Sequence, residues 1–159
     1  MNILYLHGLD GEPNKEKINY LRSLGHIVLS PQLYYRENNK VFNLIEDLIK
    51  MENIDLIIGN SLGGFLGYHL SLKYNIDSIL INPALNFQSV EQIIDSYTYC
   101  KEVKKIDIVL GEKDDIIKPL DTIKYISNNF KNSINYFFIN AGHSLNLEEF
   151  KNSINYILL

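Results

Sequence analysis

The sequence predicts an α/β fold: a six-stranded, mostly parallel sheet with helices on both faces. Two observations carry this. Short apolar runs alternate with longer helix-patterned segments from one end of the chain to the other, and parallel strands require such crossover connections. The runs are also rich in Ile, Leu and Val on both sides of the strand, as strands buried on both faces should be.

The elements follow in order. "NILYLHG" (2–8) reads as the first strand, and "KEKINYLRSLG" (15–25) as a helix that stops at Gly25. "HIVLS" (26–30) is a strand closed by Pro31, and "NKVFNLIEDLIKM" (39–51) sets Val41, Leu44, Ile45, Leu48 and Ile49 at helical spacing. "IDLIIGN" (54–60) is the third strand, with an amphipathic helix expected over "LGGFLGYHLSLKY" (62–74). "DSILIN" (77–82) is the fourth, then Pro83 and a weakly helical "SVEQIIDSYTY" (89–99). "KIDIVLG" (105–111) pairs with the helix "LDTIKYISNNF" (120–130), and "INYFFIN" (134–140) with the closing helix "LEEFKNSINYIL" (147–158). "FKNSINY" occurs twice, at 130–136 and 150–156. Two copies make no repeat architecture, and one set of residues is expected to serve a strand and then a helix.

Length and composition set bounds. At 159 residues the chain is one domain, 1–159, large enough to bury a core. No apolar run reaches the roughly 18–20 residues of a membrane span, and "MNILYLHGLDGEP" lacks the features of a signal peptide. Cys100 is the only cysteine, which excludes an internal disulfide and fits a reducing, cytoplasmic compartment. A net charge of −4 argues against nucleic acid as a partner, and the cluster Lys101, Lys104 and Lys105, broken by Glu102, reads as a solvated face. The expected partner is a small molecule. The oligomeric state is not legible.

In parallel sheets the functional crevice lies beyond the carboxyl ends of the strands, and four of those ends carry chemistry. The third runs into Gly59-Asn60-Ser61-Leu62-Gly63, a G-x-S-x-G elbow in which the glycines let strand and helix approach and push Ser61 into the crevice. The fifth ends in Gly111-Glu112-Lys113-Asp114-Asp115, and the sixth in Asn140-Ala141-Gly142-His143. A serine hydroxyl needs a base, which His143 can supply near neutral pH, and a carboxylate then fixes the imidazole tautomer. Asp114 or Asp115 could be that carboxylate; Asp114, nearer the strand end and so better placed to reach His143, is favoured, which leaves Asp115 solvated or bonded to backbone amides ahead of Ile116 and Ile117. The first strand ends in His7-Gly8-Leu9, whose loop would bring the Leu9 amide beside that of Leu62 as an oxyanion hole. His7 reads as a structural histidine, since no second ligand stands at metal spacing. His69 reads as packing or surface, and His26 has no assignable role. "PQLYY" (31–35) and "INPAL" (81–85) are expected as substrate walls, with Tyr34 and Pro83 as the candidate contacts. Ordinary loop packing is the alternative for Tyr34 and Tyr35.

"ILYLHGLDGEPNKEK", "SPQLYY", "GNSLGGFLGYHLS", "INPAL" and "AGHSLNLEEF" together resemble the small YqiA/YcfP-type esterases, a minimal branch of the α/β-hydrolase superfamily. The resemblance runs nearly end to end and implies strand order 2-1-3-4-5-6. It also implies a Ser–Asp–His triad at Ser61, Asp114 and His143, no cofactor or metal, and hydrolysis of carboxylic esters or thioesters. Peptidase or acyltransferase activity on the same triad, or a non-catalytic binding role, are the rival expectations. Residues 86–104, where hydrolases often carry a lid, are few even for this group, so no substantial lid is expected.

Overall fold

The computed structural model describes residues 1–98, 105–129 and 134–158. Strands β1 (Asn2–Leu6), β2 (Ile27–Leu29), β3 (Leu56–Asn60), β4 (Asp77–Ile81), β5 (Ile106–Gly111) and β6 (Asn135–Ile139) form one sheet. Its order is β2-β1-β3-β4-β5-β6, and every neighbouring pair is parallel. Helices α1 (Lys15–Ser23), α2 (Val41–Met51), α3 (Leu62–Tyr74), α4 (Pro119–Asn129) and α5 (Leu147–Leu158) make the crossovers.

Because side chains alternate along a strand, each central strand feeds two cores. Leu4, Leu6, Ile57, Leu80, Ile108 and Leu110 face α2, α3 and α4 in one. Ile3, Tyr5, Ile58, Ile79, Ile81 and Val109 meet Ile18 and Leu21 of α1 and Phe150 and Ile154 of α5 in the other. Local signals set the helix ends. The Asn14 side chain accepts the Lys17 amide at 3.0 Å to start α1. Asn146 and Glu149 exchange side-chain bonds with each other's amides at 2.8 and 2.9 Å, a capping box that begins α5.

Two expectations change. Helix α3 is not amphipathic: ten of its thirteen residues are buried, because it lies centrally under its neighbours. Residues 91–98 are irregular rather than helical. This segment is tied to the loop before α2: Ile93 N–H donates to Asn39 O at 2.7 Å, and the buried Gln92 Nε2 donates to Tyr35 O at 3.0 Å and Asn38 O at 3.2 Å. Bonds to a neighbouring loop replace those within a helix turn. The end of that expected helix at Tyr99, Cys100, and the cluster's Lys101, Glu102 and Lys104 lie outside the described residues, as do residues 130–133 of the first "FKNSINY". Among the described residues, no helix is long and apolar enough to cross a membrane.

Candidate active site

Strand β3 ends at Asn60 and α3 begins at Leu62, which leaves Ser61 alone to reverse the chain. It does so at φ 53° and ψ −116°, a conformation that costs a non-glycine residue on the order of 1–3 kcal/mol. The flanking glycines make the reversal feasible. A Cβ on Gly59 would fall 2.4 Å from Gly63 O, and one on Gly63 would fall 2.4 Å from Leu6 O. β1, β3 and α3 meet backbone to backbone, where no side chain fits. The end of β4 braces the turn: Ser61 N–H donates to Ile81 O at 2.9 Å, and Ala84 N–H donates to Ser61 O at 3.0 Å.

His143, in the loop after β6, brings Nε2 to 2.9 Å from Ser61 Oγ. Its Nδ1 lies 2.7 Å from Asp114 Oδ2. The Asp114 side chain is fully buried and that of His143 is 15% exposed. The second carboxylate oxygen, Oδ1, accepts the amides of Ile116 at 2.9 Å and Ile117 at 2.8 Å. Those amides were an expected local partner for Asp115; they belong to Asp114, and Asp115 is exposed. The turn closed by Asp114 N–H on Gly111 O at 3.0 Å aims Asp114 inward. With Oδ2 accepting from Nδ1–H, the imidazole presents Nε2 as an acceptor, so the Ser61 hydroxyl donates to it.

Leu62 is the first residue of α3, so its N–H has no carbonyl one turn back to donate to. The loop carrying Leu9 lies against the elbow, since a Cβ on Gly8 would be 3.2 Å from both Ser61 Cβ and Asn60 Nδ2. His7 holds this loop from behind. Its Nδ1 bonds Gly8 O at 2.8 Å and its Nε2 accepts Leu33 N–H at 2.9 Å, which fixes the Nδ1–H tautomer. The Tyr35 hydroxyl donates to His7 O at 2.6 Å. Burial lowers the His7 pKa and raises that of Tyr35; both stay neutral as the bonds require.

The comparisons with known proteins follow the same architecture. The model of the uncharacterised protein family UPF0227 matches residues 2–116. The chain belongs to UPF0227. The match takes in Ser61 and Asp114 and stops short of His143. No curated protein matches this UPF0227 chain. Among solved structures it is similar to mouse alpha/beta hydrolase domain-containing protein 10, at 14% identity and TM-score 0.71, over 98% of this chain and 87% of that one. It is likewise similar to Est1E of Butyrivibrio proteoclasticus, seen with ferulic acid bound, at 14% identity and TM-score 0.70, over 99% and 88%. A protein assigned to the alpha/beta hydrolase superfamily from Xanthomonas campestris pv. campestris matches at 16% identity and TM-score 0.68, over 98% and 99%. This UPF0227 chain therefore has the α/β-hydrolase fold.

The remaining candidates separate. Tyr34 is 63% exposed and Tyr35 is 2% exposed, so the two neighbours point opposite ways. Every residue of "INPAL" is buried, and Pro83 packs on the first turn of α3, its Cβ 2.9 Å from where a Cβ on Gly64 would stand. This segment is scaffold rather than an open wall, because it fills the space between β4 and the elbow. His69 is tucked among Phe65, Tyr68 and Tyr97, with Nδ1 2.8 Å from the Tyr97 hydroxyl. Burial lowers its pKa to about 4. Among the described residues, no group of three or more His, Cys, Asp or Glu side chains could hold a metal ion. A groove of about 560 Å³ runs along β6 and α5, lined by Phe138 and Tyr156 among others but by neither Ser61 nor His143. Sequence reasoning passed over Asn82, whose side chain joins the ends of β4, β5 and β6.

Proposed function

We propose that this protein is a serine hydrolase that cleaves small carboxylic (acyl) esters through an acyl-enzyme. One observation carries the reading: an unbroken hydrogen-bond chain from Ser61 through His143 to Asp114, seated on a strained elbow. Ser61 Oγ attacks the ester carbonyl as its proton passes to His143 Nε2. Asp114 keeps the imidazole in the required tautomer and stabilises the imidazolium. The developing oxyanion is held by the amides of Leu9 and Leu62. As the tetrahedral species collapses, the bond to the alcohol oxygen breaks and the alcohol leaves with the proton from Nε2. Water then gives a proton to the same nitrogen, adds to the acyl carbonyl, and releases the acid with Ser61 restored. These steps use no cofactor. Tyr34, exposed after β2, contacts the substrate, while Pro83 acts from beneath by backing the elbow.

Ester chemistry is favoured by Est1E, similar in fold and seen with ferulic acid bound. The test treats the purified protein with a fluorophosphonate and locates the adduct by mass spectrometry. A panel of p-nitrophenyl esters, acyl-CoAs and peptidyl amides follows. The expected results are a single adduct on Ser61, absent in Ser61→Ala, and turnover highest on the esters. An unlabelled Ser61 with no turnover on any panel member would overturn the proposal in favour of a binding role.

A further inference from the structure

Asn82 is fully buried and occupies φ 43°, a left-handed conformation that few residues other than glycine and asparagine tolerate. It directly precedes Pro83, a position that further restricts the backbone. Its amide donates to Val109 O at 2.9 Å, as the next step of a parallel ladder between β4 and β5 should. The step after that would have Gly111 N–H donate to the Asn82 carbonyl. Instead Gly111 N–H donates to the side-chain oxygen Oδ1 at 2.7 Å. The side chain extends the ladder while the main chain turns away toward Pro83.

The other end of the amide faces the base. Nδ2 donates to Gly142 O at 3.1 Å and to His143 O at 2.8 Å. Among the described residues, no backbone N–H donates to either carbonyl. The orientation of the amide is unambiguous: flipped, its NH₂ would meet Gly111 N–H and its oxygen would meet two carbonyls. One side chain therefore fixes the strand end three residues before Asp114 and the backbone of His143 itself. The preceding residue, Ile81, accepts the Ser61 amide at 2.9 Å, so nucleophile, base and acid are all referenced to the end of β4.

Resting on the reading of Ser61, His143 and Asp114 as a catalytic triad, we infer that Asn82 is a positioning residue for it, setting the His143–Asp114 distance through the Gly142 and His143 carbonyls. It is buried beneath the site and touches no substrate. Two variants separate its parts. Asn82→Gly keeps the left-handed backbone and removes all three bonds. Asn82→Asp keeps the acceptor for Gly111 and replaces both donors with an oxygen. In each, kcat on a p-nitrophenyl ester falls about 30- to 100-fold, the scale expected when a catalytic group is displaced by about 1 Å, while KM stays within about threefold.

A second readout does not need turnover. In the ¹H–¹⁵N spectrum of the resting protein, the His143 Nδ1–H proton bonded to Asp114 is held against solvent exchange. In both variants it exchanges and broadens, while melting temperature and backbone spectrum report that the fold persists. Should Asn82→Gly fold poorly, Asn82→Asp, which retains the ladder bond, decides the matter. A folded Asn82→Asp with kcat within threefold of wild type, or with an unchanged Nδ1–H resonance, overturns the inference. If instead wild type turns over nothing, the proposed function fails, and the imidazole proton still tests Asn82.

Discussion

Replacing Asp114 by Asn changes one atom, and the geometry determines what that atom does. Oδ1 of Asp114 accepts two amides, from Ile116 and Ile117, while Oδ2 accepts from His143 Nδ1. An asparagine can match only one side. Its carbonyl oxygen must face the two amides, because an NH₂ group there would leave both N–H groups without their acceptor, at about 1–3 kcal/mol for the buried one, that of Ile117. The NH₂ then faces His143 Nδ1 and donates to it, which drives the ring proton to Nε2. At 2.9 Å from Ser61 Oγ, Nε2 becomes a donor and cannot take the serine proton. The expected loss in kcat is about 10⁴-fold, equivalent to about 5.5 kcal/mol in the barrier, with the fold intact because the loop bonds survive. Asp115 is exposed, so Asp115→Asn changes only a screened charge and costs less than about tenfold. Steady-state kinetics of both variants on one p-nitrophenyl ester, beside urea unfolding, checks this. An Asp114→Asn enzyme within tenfold of wild type, or a crippled Asp115→Asn, refutes the assignment of the acid.

Three further outcomes are expected. Ser61→Gly abolishes turnover yet raises stability by about 1 kcal/mol, since glycine adopts the positive φ without strain; urea unfolding that shows a loss of that size would place the strain elsewhere. The short stretch 86–104 leads us to expect an open crevice, in which kcat/KM rises from acetyl to butyryl or hexanoyl esters, at about 0.8 kcal/mol per buried methylene. It then flattens or falls, and a steady gain to palmitoyl would show a deep acyl tunnel instead. His69 stays neutral in the fold because burial lowers its pKa from 6.5 to about 4. The folded state therefore binds fewer protons than the unfolded chain between those values, and stability present above pH 6.5 is lost as pH falls toward 4, by about 3 kcal/mol. Urea midpoints against pH should show this slope in wild type and lose it in His69→Gln; equal slopes would mean the group titrates freely.

The alternation of apolar runs and helical patterns determined the fold class, because burial on both faces and crossover connections each leave a mark in local sequence. The glycines around Ser61 were equally legible, since a backbone contact that excludes Cβ dictates residue type. Other features depended on neighbours distant in the chain. The tripeptide Ile-Asn-Tyr stands at 134–136 and again at 154–156; the first copy leads into β6 and the second lies within α5. Local propensity is identical, so the sheet edge and the α1–α5 packing decide. The segment expected as a helix over 89–99 is irregular at 91–98 because Gln92 and Ile93 bond to residues 35–39 instead. Asp114 was favoured over the adjacent Asp115 by a single residue of loop length, and it took the turn after β5 to bury the one and expose the other. Asn82 carried no signal in its own segment: its partners, Gly111, Gly142 and His143, lie 29 to 61 residues away. A hydrogen bond across that separation exists only once three strand ends have been brought side by side, and it is the sheet that brings them there.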